Sequence, residues 1–153
     1  MKKILTVLCA VLFLSACAAV QDAKNFANCK YSIQGVEVSD YNVNSISFDF
    51  YLGITNLNRK KAASIKKFEG KVLMNDVFVA NMEVKDVRIE AGATKIQKAT
   101  VTVPMKNFST KLVGLVSMGS ASVDYYIVGT AYFETPLGDV SVPVAMGRRG
   151  SNN

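Results

Sequence analysis

The side chains of this sequence that could carry chemistry are three cysteine thiols, because the chain contains no histidine. Without His, neither a Ser–His–Asp triad nor a Cys–His pair can form, and the commonest metal ligand is missing. The sequence has no Gly-rich phosphate loop of the G-x-x-x-x-G-K type, and its 12 acidic residues are scattered singly. We therefore expect no enzymatic activity, no metal and no cofactor.

The first 17 residues have the order of a secretory signal. Lys2 and Lys3 form a basic start, and an apolar run over residues 4–13 follows. A membrane-spanning helix needs about 20 apolar residues, so this run is too short. Next comes Leu14-Ser15-Ala16-Cys17, which resembles the bacterial lipobox. The resemblance implies that Cys17 becomes the N-terminus and carries acyl chains such as palmitate. An ordinary cleaved signal or a permanent transmembrane anchor fits these features less well.

The residue after the cysteine is Ala18 rather than Asp, which in lipoproteins of enteric-type bacteria implies sorting to the outer membrane, facing the periplasm. Four segments follow from this interpretation. We expect a signal peptide at 1–16, a lipidated N-terminus and tether at 17–29, a folded domain at 30–147 and a tail at 148–153.

The charge of the chain is mildly positive, with a net charge of +6. Lys2 and Lys3 leave with the signal peptide, so the mature chain carries about +4. Such a balance favours anionic surfaces but does not indicate a nucleic-acid partner.

Cys9 leaves with the signal as well, so Cys29 has no intramolecular disulfide partner in the mature chain. It is either a reactive thiol or a buried apolar side chain at the start of a strand, and we expect the second.

From Cys29 onward the hydrophobic pattern has a period of two, which predicts β-strands. In the clearest strand the apolar residues Ile46, Phe48, Phe50, Leu52 and Ile54 alternate with wetter positions, including Asp49 and Tyr51. We expect Asp49 and Glu69 on solvated faces. Further strands are predicted over 33–38, 67–74, 77–84, 98–103, 122–133 and 140–146.

Turn residues separate these strands. Asn75-Asp76 predicts a tight hairpin, Ala91-Gly92-Ala93 a turn, and residues 136–139 another. The alternation slips near Asp86, which indicates a bulge, and Pro143 indicates an edge strand. About seven short strands with such turns predict an antiparallel β-sandwich.

One segment departs from this pattern. Phe108, Leu112, Leu115 and Val116 have helical spacing, with Gly119 as an end signal. A membrane-binding helix and a helix that closes one end of the sandwich both fit, and we expect the second.

The order of these features resembles a known family. The long strand runs into Asn56-Leu57-Asn58, and a later strand ends in Val101-Thr102-Val103-Pro104. Residues 126–131 and a closing hairpin with Thr135-Pro136-Leu137-Gly138 follow. Over about residues 30–147 this order is similar to the type 2 late-embryogenesis-abundant (LEA) domain, also called the water-stress and hypersensitive-response (WHy) domain.

The resemblance implies an immunoglobulin- or fibronectin-like sandwich without catalytic residues, associated with stress protection and in some branches with lipid binding. The family usually has Asn-Pro-Asn where this chain has Asn56-Leu57-Asn58. The change loosens the turn but keeps both Asn side chains, which can cap the loop.

A basic cluster is the candidate contact for anionic lipid head groups or an acidic partner. Only Glu69 opposes it. Its members are Arg59, Lys60, Lys61, Lys66, Lys67 and Lys71. An ordinary solvated face fits the same residues, and we expect that one, because no second motif supports a binding surface.

The aromatic side chains either line a pocket or fill the core and pair across strands, and we expect the core. They are Tyr41, Phe48, Phe50, Tyr51, Phe68, Tyr125, Tyr126 and Tyr132.

Three functions remain open: a lipid-anchored accessory domain in envelope or stress protection, a lipid or acyl-chain carrier, and a structural subunit of an envelope complex. A carrier requires a cavity of roughly 300 Å³ or more between its sheets.

Overall fold

The computed structural model describes residues 28–107, 123–135 and 138–148. These residues form seven strands and one 3₁₀ turn, Met105–Asn107. The strands are β1 (Cys29–Tyr41), β2 (Ser45–Asn56), β3 (Ala63–Met74), β4 (Val77–Ile89), β5 (Thr94–Pro104), β6 (Tyr125–Thr135) and β7 (Gly138–Arg148). In this part of the chain no helix has the length and hydrophobicity to cross a membrane.

The strands form two antiparallel sheets, ordered β1-β2-β5 and β4-β3-β6-β7. This arrangement confirms the predicted all-β, fibronectin-like sandwich of seven strands. Strand β6, which is apolar on both faces, lies inside its sheet as predicted. Strand β7, which contains Pro143, lies at the edge of the same sheet, also as predicted. Asn75 and Asp76 have φ angles of 48° and 65°, the positive values that a tight hairpin turn requires.

The core lies between the sheets and is supplied by one face of each strand. On β2, Phe48, Phe50 and Leu52 are buried, which confirms the face predicted from the alternation. The Phe50 and Tyr125 rings meet edge to face across the core, with centroids 5.8 Å apart. The aromatic side chains divide: Phe48, Phe50, Phe68 and Tyr125 are core residues, whereas Tyr41 is 79% exposed.

The predicted slip in alternation is present at Asp86, whose φ is 54°. Val84 and Val87 on either side are both buried, so two successive residues of β4 face outward. On the neighbouring β3, the register toward β6 shifts at Lys66. Lys66 and Lys67 therefore both lie on the outer side of the four-stranded sheet.

The predicted helix, the predicted tether and the predicted C-terminal tail have different outcomes. The predicted helix at 108–116 lies outside the described residues, as do the signal peptide and Cys17. Cys29 belongs to β1 rather than to the tether. Arg148 is the last residue of β7 rather than the first of the tail, because its guanidinium donates a hydrogen bond of 3.0 Å to the Gln34 carbonyl of β1.

Candidate functional site

Asn56 organises the end of the sandwich where β2 passes into β3. Its side chain is buried, and its amide nitrogen donates to the carbonyl oxygens of Lys61 (2.9 Å), Ile89 (3.3 Å) and Glu90 (3.3 Å). The amide oxygen accepts the backbone N–H of Asn58 at 3.0 Å. One buried amide thus joins the end of β2 in the first sheet to the end of β4 in the second.

Asn58 caps the next part of the loop. Its side-chain oxygen accepts the backbone N–H groups of Lys60 (2.9 Å) and Lys61 (3.2 Å), and its carbonyl accepts Gly92 N–H at 2.8 Å. Gly92 has a φ of 67°, as expected for the turn between β4 and β5. The two Asn side chains therefore cap the loop in the way the sequence suggests.

Leu57 stands where the LEA type 2 pattern has proline, and its backbone N–H is used. It donates a hydrogen bond of 3.1 Å to the carbonyl oxygen of Asn28, the residue before β1. Proline has no N–H and cannot make this bond. The substitution thus ties the entry of the N-terminal segment to the β2–β3 loop.

The structure divides the predicted basic cluster into two groups. Arg59, Lys60 and Lys61 are exposed in the β2–β3 loop, beside Asn28. The other group lies on the outer side of the four-stranded sheet and consists of Lys66, Lys67 and Lys71. The six residues therefore do not form one surface.

The second group is largely compensated by carboxylates. Lys66 contacts Asp139 at 2.8 Å, and Lys67 is paired with Glu69, which lies on the solvated face as expected. Hydrogen bonds to these carboxylates raise the pKa of both lysines. Exposed pairs of this kind are an ordinary feature of a solvated sheet face.

Asp49 does not lie on a solvated face, contrary to the expectation. It is 5% exposed on the outer side of the three-stranded sheet, beneath its β5 neighbours. Lys98 contacts its carboxylate at 2.6 Å, and the Thr100 hydroxyl donates to it at 2.6 Å. The Lys98 hydrogen bond, followed by that of Thr100, lowers the pKa of Asp49. These two side chains shield the carboxylate and satisfy it.

Among the residues that the structure describes, one small cavity lies between the two sheets. This cavity, lined by apolar groups of residues such as Tyr31, Ile65 and Met146, has a volume of about 10 Å³. That is about the space of one water molecule. Two larger hollows, of about 420 and 540 Å³, are open grooves on the outer side of the four-stranded sheet. The first runs past the Gly70–Gly129 pair of β3 and β6, and the second past Lys66 and Lys67.

Cys29 is half-buried at the start of β1, as expected. Burial raises the pKa of its thiol to about 11. Burial, together with the proximity of Cys29, also raises the pKa of Tyr31. A thiol with a raised pKa is a poor nucleophile at neutral pH, so its environment favours a packing role over a reactive one.

No protein-family model and no curated protein matches the chain. Its fold is shared with a plant protein. The solution structure of this Arabidopsis thaliana protein matches with a TM-score of 0.58 and 16% sequence identity, over 77% of this chain and 78% of that one. A protein from Archaeoglobus fulgidus matches with a TM-score of 0.49 and 10% identity, over 76% and 94% of the two chains. A protein provisionally classed as late embryogenesis abundant matches with a TM-score of 0.49 and 14% identity, over 96% and 84%.

Proposed function

We propose that the chain is a lipoprotein of the bacterial cell envelope, held by acyl chains on Cys17, with a non-enzymatic LEA type 2-like domain that serves in envelope or stress protection. The proposed site is the outer membrane, facing the periplasm. The observation that carries the domain assignment is the Asn56–Asn58 cap, because the residues of the LEA-like motif make the contacts that close the β2–β3 loop. The plant structure matched above shares the sandwich fold that this domain type would require.

The geometry favours this function over that of a lipid carrier. Known ligand pockets have volumes of about 300–1,000 Å³. The cavity between the sheets, at about 10 Å³, is far below that range. Packing of this kind in the described part of the sandwich supports a function through the surface and the anchor.

A role as a structural subunit of an envelope complex is the second candidate. Tyr41 is 79% and Val43 is 89% exposed at the β1–β2 hairpin, on the end of the sandwich opposite Asn56. Exposed apolar side chains of this size favour a protein contact. Native mass spectrometry of the protein from its own host distinguishes the candidates, because a subunit would be recovered in a stoichiometric complex.

The anchoring is tested by Cys17→Ser in the full chain, with Cys29→Ser as the matched control. We expect wild type and Cys29→Ser to incorporate labelled palmitate and to fractionate with membranes. Cys17→Ser should not be acylated. Palmitate incorporation by Cys17→Ser would contradict the proposal.

The protective role is tested in a deletion strain of the host exposed to drying and to osmotic upshift. We expect survival to fall and to be restored by wild type and by Cys29→Ser, but not by Cys17→Ser at equal protein abundance. Unchanged survival of the deletion strain would reject stress protection and leave the anchoring result intact.

A further inference from the structure

The polypeptide enters the sandwich at one defined end. Asn28 lies at the start of β1 and is bonded to Leu57 in the β2–β3 loop. The β4–β5 turn lies at the same end, because β1 and β5 start where β2 finishes. The β6–β7 turn lies there too, because β6 finishes beside the start of β3, directly after the β2–β3 loop. We call this region, comprising residues 28–30, 56–62, 90–95, 134–135 and 138–139, the entry end.

The entry end is strongly cationic. Five exposed cationic residues belong to it: Lys30, Arg59, Lys60, Lys61 and Lys95. The nearby carboxylates are engaged elsewhere, since Glu90 is paired with Arg88 at 2.9 Å and Asp139 with Lys66 at 2.8 Å. Glu134, at the end of β6, acts on Lys66 as well. The entry end therefore carries a net positive charge.

Among the described residues, the opposite end is nearly neutral. Asp40 and Asp76 are exposed in or beside its hairpins, and Asp124 precedes β6 there. Lys106 and Arg148 are the cations of that end among the described residues. The charge of the domain is thus polarised along the strands, and a charged surface distinguishes one end from the other.

The cations of the entry end are held on a fixed backbone. The side chain of Asn58 accepts the N–H groups of Lys60 and Lys61, so the loop is capped. Leu57, beside them, is 49% exposed. An exposed leucine between cations is the arrangement that suits a membrane interface, where the apolar side chain enters below the head groups.

We propose that the entry end docks on anionic phospholipid head groups of the membrane that holds the acyl chains, with Arg59, Lys60 and Leu57 at the contact. The proposal rests on the lipid anchor of the proposed function. Ten residues separate Cys17 from Asn28. Fully extended, this segment spans at most about 39 Å, so the anchor keeps the entry end within reach of the membrane. Attraction between cations and head groups acts within about 10 Å of the surface.

The chain has no tryptophan, so one introduced indole reports a single position. The full acylated protein is purified as Leu57→Trp or as Val43→Trp, which places the probe at the opposite end. Each variant is reconstituted into phosphatidylcholine vesicles, either pure or with about 30% phosphatidylglycerol to give an anionic surface. The lipids carry brominated acyl chains, which quench the fluorescence of an indole that enters the bilayer. We expect quenching and a blue shift for Leu57→Trp in the anionic vesicles, reversed by salt, and neither for Val43→Trp.

A matched pair of charge variants tests the residues. Arg59→Gln with Lys60→Gln should reduce the quenching of Leu57→Trp at least about threefold, because each basic residue near the surface adds to the attraction. Lys71→Gln with Lys106→Gln removes the same charge away from the entry end and should leave the quenching unchanged. Equal effects of the two pairs would overturn the proposal.

The outcomes separate docking from anchoring. If acylated Leu57→Trp floats with the anionic vesicles but is not quenched, docking is wrong and the lipid anchor stands; the cations would then face a soluble partner or solvent. If purified wild type carries no acyl chain and does not float, the anchoring itself is wrong.

Discussion

The side-chain nitrogen of Asn56 lies 2.9 Å from the carbonyl oxygen of Lys61, five residues later in the chain, and 3.3 Å from the carbonyl oxygen of Ile89 in the other sheet. A single amide group therefore closes the β2–β3 loop and joins the two sheets. It is buried, so water cannot replace its bonds when the amide is removed.

Replacing Asn56 should be more costly than replacing its neighbour Asn58. Asn56→Ala is expected to lower the free energy of unfolding by about 3 kcal/mol, since several backbone groups lose a partner. Asn58→Ala, in the partly exposed loop, should lower it by about 1 kcal/mol. Urea unfolding of both variants measures the difference, and equal effects would show that Asn56 does not bridge the sheets.

The buried face of β2 gives a second prediction. Phe50→Ala and Phe48→Ala should each lower the free energy of unfolding by about 3–5 kcal/mol, because both rings are fully buried. Tyr51→Ala should be milder, since Tyr51 lies half-exposed on the outer side with its hydroxyl on Glu37. Denaturant unfolding of the three variants checks the order. A neutral Phe50→Ala beside a severe Tyr51→Ala would mean that the face is inverted.

Asp49 should contribute a measurable dependence of stability on pH. Its pKa is lowered in the folded state, so its stabilisation is present above the unfolded pKa of about 3.9 and is lost as the pH falls through the lower folded value. Asp49→Asn should therefore be less stable than wild type at pH 7, and the gap should narrow in acid below about pH 4. Thr100→Val, which removes one hydrogen bond to the carboxylate, should show a smaller effect of the same sign.

Urea unfolding at a series of pH values from neutral to acid measures this gap. Parallel stability curves for wild type and Asp49→Asn over the whole range would show that the lowered pKa of Asp49 makes no contribution.

Cys29 should be slow to alkylate in the folded protein. Burial raises the pKa of its thiol from 9.0 to about 11, so the thiolate fraction at pH 8 is about 100-fold lower than that of an ordinary thiol. The rate with iodoacetamide should rise with pH well beyond pH 9 and should increase sharply in concentrated urea. A rate at pH 8 that is the same with and without urea would contradict this environment.

Much of the fold follows from local pattern. The alternation in β2 predicts its buried face, and Asn75-Asp76 predicts the β3–β4 hairpin, because both signals depend on neighbours in sequence. The slip at Asp86 is local as well. The matching irregularity in β3, where Lys66 and Lys67 both face outward, depends on the pairing of β3 with β6. The sequence around the two lysines does not predict it.

The remaining features depend on register between distant strands. Asp49 is buried because Thr100, about fifty residues later, lies directly across from it and Lys98 lies diagonally beside it. Arg148 is ordered because Gln34, 114 residues away, offers a carbonyl at the facing sheet edge. The residues next to Asp49 and Arg148 in the sequence give no indication of these distant partners. The basic cluster divides because Arg59, Lys60 and Lys61 lie in the loop before β3, whereas its other members lie on the outer face of β3 itself.

In the docked orientation proposed above, the strands of the domain would stand upright on the membrane. These strands of 11–13 residues rise about 3.3 Å per residue, so the two ends stand about 40 Å apart. Asn107 and Asp124, which flank residues 108–122, are both bonded to the β3–β4 hairpin region at the far end, through Val79 and Asn75. In that orientation, a partner that binds the opposite end would lie about 40 Å above the lipid head groups.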